Sequence, residues 1–192
     1  RDLQGERDVL MKFVFPNLRT LCEERDVSFT EIDLRWGITE DQASCGEVLP
    51  LCLAEIERCR PFFIGLLGER YGWVPHDLPH DLVAQQPWLK EHRHKSITEL
   101  EIVHGVLTNP TMANRACFYF RDPAYVQRMP ADRRGDYVEQ EAVLRDRLQT
   151  LKERIRASDA AWHDNYPDPQ TLGEWVLRDL TTAINQLFPS NA

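Results

Sequence analysis

The sequence predicts an α/β fold, a doubly wound parallel sheet flanked by helices, formed as a single domain over 1–192. Three observations predict it. Apolar patterns of helical period alternate with short extended patterns in the order α-β-α-β-α-β-α-(β)-α. At about 20–40 residues per unit, that alternation makes parallel βαβ units. The run Phe62-Phe-Ile-Gly-Leu-Leu67 is apolar throughout, as suits a central parallel strand covered on both faces. No internal repeat or low-complexity segment interrupts the order. The pattern opens on a helix, whereas this architecture needs a central strand ahead of it. The first strand is therefore expected to be missing from the given chain, leaving a gap in the sheet beside 28–34.

Each element has its own signal. Residues 2–25 read as an amphipathic helix, with Leu3, Val9, Leu10, Phe13, Val14, Leu18 and Leu21 at helical spacing. Pro16 should kink or interrupt it. Residues 28–34 read as an inner strand. Residues 47–59 read as a second helix on Leu49, Cys52, Leu53 and Ile56. The inner strand 62–67 follows, then a polar loop with His and Pro to about residue 95. A loop that long is usually functional or mobile. Ser96 can cap a helix running to about 107, with Glu99 completing a capping box. Residues 116–120 read as the next inner strand. A charged helix over 136–157 carries a stripe of Leu144, Leu148, Leu151 and Ile155. Residues 161–166 read as a short, weak strand. Asp168-Pro169 then starts the last helix, on Leu172, Val176, Leu180, Ile184 and Leu187.

Composition excludes several roles. The net charge is −8, so no basic field draws in duplex nucleic acid. No signal peptide and no apolar run long enough to span a bilayer is present. Five cysteines occur, Cys22, Cys45, Cys52, Cys59 and Cys117, without a CxxC pair. They read as reduced thiols, which places the protein in the cytoplasm. Cys45, Cys52 and Cys59 are spaced to lie along one helix flank. His76, His80, His92 and His94 sit near Pro and Asp in the long loop and read as solvated side chains, so no metal site is expected. No nucleotide-binding phosphate loop of the Gly-x-x-x-x-Gly-Lys-Ser/Thr type and no Gly-x-Ser-x-Gly elbow occurs. No cofactor is expected.

Three strand ends open on one edge of a parallel sheet, the place where ligands bind in such folds. They bring Asp33, Glu69 and Asp122, Arg35, Arg70 and Arg121, and the rings of Trp36, Tyr71 and Trp73. The helix that begins at Ser96 adds Thr98, Glu99 and Glu101. Glu99 and Glu101 point roughly 200° apart on a helix, so only one can face a cleft. Glu99 already has a capping role, which makes Glu101 the preferred catalytic carboxylate and Glu99 the alternative. Asp33, Arg35, Trp36, Arg70, Tyr71 and Trp73 are the candidate ligand-binding residues. Trp and Tyr offer stacking faces, and Arg a planar fork for phosphate or carboxylate. Structural ion pairing among the same residues is the competing explanation.

Four segments carry a family resemblance: Arg1-Asp-Leu-Gln-Gly-Glu-Arg-Asp8, Asp33-Leu-Arg-Trp-Gly-Ile-Thr39, Cys59-Arg-Pro-Phe-Phe-Ile-Gly-Leu-Leu-Gly-Glu-Arg-Tyr-Gly-Trp73 and Ser96-Ile-Thr-Glu-Leu-Glu101. The chain resembles, over nearly its whole length, the uncharacterised N-terminal domain found in nephrocystin-3, telomerase protein component 1 and bacterial relatives. In that family a strand resembling Phe-Ile-Ser-Ser-Thr-Phe precedes the position of Arg1. The resemblance implies a flavodoxin-like, TIR-like module ahead of a NACHT or related STAND-type NTPase, followed by tetratricopeptide or WD repeats. It also implies that segment 35–46 corresponds to the loop that mediates assembly and gates the site in TIR domains. Glu101 takes the position of the catalytic glutamate of NAD-cleaving TIR domains. Thr98 stands where those domains often carry an aromatic residue or a cysteine.

Two functions follow as expectations. One is a nucleotide N-glycosidase, acting on NAD when the protein oligomerises in defence signalling, with Glu101 opposing an oxocarbenium-like transition state. The other is a non-catalytic assembly module in which the same aromatic and charged edge is an interface. Self-association through the NTPase and repeat regions is expected in both, with no nucleic-acid or membrane partner.

Overall fold

Residues 2–34, 48–59 and 62–189 are described by the computed structural model. Helix α1 (Gln4–Val9) continues through a π turn, Leu10–Val14, into α2 (Phe15–Glu23). Pro16 does not break this helix. A proline inside a helix removes one hydrogen bond and presses on the carbonyl four residues back. Here that carbonyl belongs to Lys12, inside the π turn, so the irregularity precedes the proline and the helix carries on. Helix α3 (Val48–Arg58) and strand β1 (Phe63–Leu67) follow. After β1 come α4 (His80–Gln85), a 3-10 turn over Pro87–His92, and α5 (Ile97–Ile102), which runs on through a second π turn, Val103–Leu107. The short α6 (Pro110–Ala113) leads into β2 (Ala116–Arg121). Helix α7 (Ala142–Arg156), strand β3 (Ala161–Tyr166) and helix α8 (Pro169–Leu187) complete the order.

The three strands are parallel and ordered β1-β2-β3. Side chains of β2 alternate between two helical layers. Phe118 and Phe120 pack with Leu148, Leu151 and Ile155 of α7 on one face. Tyr119 packs with Leu18 of α2 and Leu172, Val176 and Ile184 of α8 on the other. Helices on both faces of a parallel sheet make the doubly wound α/β class that the alternation predicts. A third cluster joins α3, α4 and α5 through Leu49, Leu53, Leu82, Leu89 and Leu100.

The expected strand at 28–34 does not form. Residues 27–33 are neither helix nor strand, and no partner ladder includes them among the described residues. Side chains hold the segment to the helical layer instead. Phe29 lies 6.0 Å from Phe15, Glu31 pairs with Arg19 at 2.6 Å, and Asp33 pairs with Arg7 at 2.7 Å. An apolar run is a strand only where a neighbouring edge supplies hydrogen bonds, and among the described residues nothing pairs with the outer edge of β1.

Two further differences have the opposite sign. The weak strand 161–166 is paired with β2, Ala161, Trp162 and His163 standing opposite Cys117, Phe118 and Tyr119 and Tyr166 opposite Arg121, with a register shift between. The polar loop to residue 95 contains α4 and a 3-10 turn, because Leu82, Val83 and Leu89 are buried against α3 and α5. The charged helix starts at Ala142, with a separate 3-10 turn over Ala131–Asp136 before it. Of the evenly spaced cysteines, Cys52 is buried in α3, Cys59 follows its end, and Cys45 lies outside the described residues.

Candidate functional site

Glu99 is the acidic residue around which a cleft is built. Ser96 sits at the N-terminus of α5 with extended backbone, and its hydroxyl accepts from the Glu99 backbone N–H at 3.2 Å. This is half of the expected capping box. The other half is not made, because the Glu99 side chain turns away from Ser96. Its Oε2 accepts from the Tyr71 hydroxyl at 2.5 Å. Its Oε1 accepts from Lys95 Nζ at 2.5 Å and from Arg154 Nη1 at 2.7 Å. Tyr71 follows β1, Lys95 precedes α5 and Arg154 belongs to α7, so one carboxylate ties three segments together. The carboxylate is 6% exposed. Burial of a charge is tolerated when it is paired and hydrogen-bonded in this way.

Beside this junction lies a cleft of about 650 Å³, lined by Tyr71, Glu99, His92, Lys95, Arg147 and Arg154 among others. Val143 stands on its rim, 61% exposed. His92 has its pKa lowered, first by burial and then by the nearby Lys95 and Arg154 cations, which keeps it neutral. Lys95 and Arg154 are both committed to Glu99. At that point the Glu99 carboxylate and its two cations are engaged with one another, while Glu91 and Asp146 also line the cleft.

The Tyr71 phenol is pushed up to about 12, first by burial and then by its hydrogen bond to Glu99 and that group's charge. Its folded pKa lies above the value of about 10 in the unfolded chain. Its contribution to stability is thus full below pH 10 and is lost as pH rises toward 12. The difference in denaturation midpoint between wild type and Tyr71→Phe should accordingly shrink over that interval. A difference that stays constant from pH 9 to pH 12 would contradict the assignment.

The remaining sequence-predicted residues divide. Tyr71 and Glu99 are brought together. Glu101 is 4% exposed on the same helix and does not line the cleft. Asp33 is engaged by Arg7, Arg70 donates to the Asp136 carbonyl at 3.3 Å on the surface, and Trp73 is half-exposed. Arg35 and Trp36 lie outside the described residues. Glu69 pairs with Lys152 at 2.7 Å, and the Asp122 carboxylate accepts from the Ala124 N–H at the start of a 3-10 turn. Arg121 is fully buried, donating to Glu6 at 3.0 Å and to the Asp2 carbonyl at 2.7 Å. Much of the expected convergence is thus structural ion pairing. Sequence reading missed Lys95 and Arg154. Lys95 is four residues before Glu99 on the chain, a spacing that suits an ion pair. Arg154 carries no such local signal.

No helix among the described residues is long and apolar enough to cross a membrane. A TPR repeat-containing protein of Dictyostelium discoideum is 34% identical over 203 residues, which covers 99% of this chain and 12% of that protein. Telomerase protein component 1 of Rattus norvegicus is 35% identical over 209 residues, 98% of this chain and 8% of its own length. NACHT domain- and WD repeat-containing protein 1 of Mus musculus is 39% identical over 78 residues, 38% of this chain and 5% of its own length. The chain thus spans 12% or less of the length of these relatives. No solved structure matches it. The family model described as Domain of unknown function (DUF4062) matches residues 1–181, and the chain belongs to that family.

Proposed function

We propose that this domain is a signalling and assembly module of a NACHT-type multidomain protein, acting through contacts rather than through chemistry. Its relatives' names carry NACHT, WD-repeat and TPR-repeat parts, and the matched stretch is a small share of each. The observation that carries the non-catalytic reading is the state of Glu99. Both of its oxygens are taken up by two cations and a phenol from within the fold, so the carboxylate is occupied in tying three segments together. Val143 leaves an apolar side chain on the rim of the same cleft, where a partner surface would cover it. Copies brought together by the NTPase and repeat regions would meet at high effective concentration, so a weak contact here suffices. Reduced thiols suit a cytoplasmic setting. In a longer polypeptide that contains this domain, Val143→Asp should weaken assembly about tenfold or more, roughly 1.4 kcal/mol, without lowering the melting temperature. Light scattering that shows unchanged assembly would count against the cleft as the contact.

One observation favours the enzymatic alternative, a TIR-like nucleotide N-glycosidase acting on NAD: Glu101 is a buried acid on α5. In that reading Glu101 binds the ribose hydroxyls and opposes the oxocarbenium-like charge, Trp36, Tyr71 or Trp73 stacks on a base, and Arg35 or Arg70 holds phosphate. Glu101→Gln should then lower turnover about 100-fold, roughly 3 kcal/mol of transition-state stabilisation, with the fold intact. If Glu99→Gln abolishes turnover and Glu101→Gln does not, the carboxylate role passes to Glu99.

A further inference from the structure

Away from the cleft, on the sheet face covered by α8, three side chains of different chemistry meet. Cys117 lies in β2, His163 in β3, and Asp179 comes from α8. The parallel register sets Cys117 opposite Ala161 and Tyr119 opposite His163. Cys117 and His163 are therefore two positions apart on adjacent strands and share a face. Their Sγ and imidazole donor atoms and one Asp179 carboxylate oxygen lie within 4.8 Å of one another. His163 Nε2 is 2.7 Å from Asp179 Oδ2, and Cys117 Sγ is 4.0 Å from the same oxygen.

We propose that Cys117, His163 and Asp179 form a binding site for a zinc-class divalent cation. A tetrahedral zinc ion holds nitrogen and oxygen ligands about 3.4 Å apart and sulfur and oxygen ligands about 3.6 Å apart, given its usual bond lengths. The observed 2.7 and 4.0 Å bracket those values, so side-chain shifts of well under 1 Å admit the ion. A set of one thiol, one imidazole and one carboxylate selects a borderline-soft ion such as zinc over magnesium or calcium, which take oxygen ligands.

Groups around the three ligands fix their orientation. The Tyr119 hydroxyl donates to Asp179 Oδ2 at 2.8 Å, and Arg178 Nε donates to Asp179 Oδ1 at 2.9 Å. The His163 ring stacks on Tyr119 at 5.2 Å and meets Trp175 at 5.6 Å. Outer contacts of this kind set ring orientation and ligand basicity in metal sites. A plain His163–Asp179 ion pair is complete without sulfur, yet the Cys117 thiol is aimed at the same oxygen. Binding exchanges the thiol proton for the ion and releases that proton to solvent. The His163 side chain is 32% exposed, and three protein ligands leave a fourth tetrahedral position. A water molecule or a group from a bound partner would fill it.

Cobalt(II) is the probe, because it takes zinc geometries and absorbs visibly. The whole chain, dialysed against a chelator, should bind one equivalent with thiolate-to-cobalt charge transfer, and zinc should displace it. Cys117→Ser should remove the charge-transfer band and weaken zinc binding by more than the roughly 10–100-fold that an outer contact carries. His163→Gln, a second variant read by chelator competition, should weaken zinc to a similar degree, and Cys59→Ser should change nothing. Circular dichroism checks that each variant folds. Absence of cobalt binding would leave the ion pair as the whole explanation. A charge-transfer band that survives in Cys117→Ser would place the metal on other thiols, and either result overturns the proposal.

Discussion

Glu6→Ala should destabilise the domain by about 3–5 kcal/mol, the usual cost of removing one partner from a buried ion pair. Glu6 is 1% exposed, and its Oε1 accepts from Arg121 at 3.0 Å and from the Tyr166 hydroxyl at 3.1 Å. Arg121 is fully buried, stacked 4.7 Å over Tyr125. Without Glu6 its remaining carboxylate neighbour is Asp2 at 3.6 Å, itself 20% exposed. Burial and the Glu6 charge also hold the Tyr166 phenol neutral, well above its ordinary range. Urea denaturation measures the loss. Glu6→Leu combined with Arg121→Met should recover much of it, since an apolar pair of similar volume avoids the desolvation of two charges. A Glu6→Ala loss below about 1 kcal/mol would mean that Arg121 is satisfied by its other contacts.

The second large effect comes from one missing methyl group. Gly65 lies opposite Phe118 in the β1–β2 ladder, and a Cβ at position 65 would fall 2.2 Å from Phe118 Cδ1. Phe118 is fully buried and packed 5.9 Å from Phe63, so its ring has no free direction. Gly65→Ala should cost about 3 kcal/mol, the upper end for overpacking, and lower the melting temperature by roughly 6–12 °C. Adding Phe118→Leu makes room and should return part of the loss. A melting temperature within about 2 °C of wild type for Gly65→Ala alone would show that the ring can move aside.

These two positions mark what the sequence conveys and what it does not. The runs that become β1 and β2 are legible because helices cover both faces of a parallel sheet, which makes its strands apolar on both sides. Segment 28–34 has the same look, with Phe29, Ile32 and Leu34, but a strand also needs an edge to pair with, and pairing is not a local property. The reverse holds for β3. Ala161-Trp-His-Asp-Asn-Tyr166 is polar and reads weakly, yet β2 supplies its ladder. Leu82, Val83 and Leu89 were hidden among His, Pro and Asp, although they anchor the segment. At the site, the cap at Ser96 was legible from spacing, while the destination of the Glu99 side chain was not. Arg154 is 55 residues away in the chain and reaches Glu99 only because α7 packs beside α5. Cys117, His163 and Asp179 are likewise scattered: the register of β2 and β3 brings the first two together, and the packing of α8 on the sheet adds Asp179.

The central claim is that this domain works by contact and not by turnover. Its most direct test is to cluster the purified domain on an oligomeric scaffold, incubate it with NAD, ATP and nucleosides, and follow substrates and products by mass analysis, with Glu101→Gln alongside. The account predicts that every nucleotide is recovered intact at the same level as in a protein-free control. Release of nicotinamide by the clustered wild type, lost in Glu101→Gln, would contradict it.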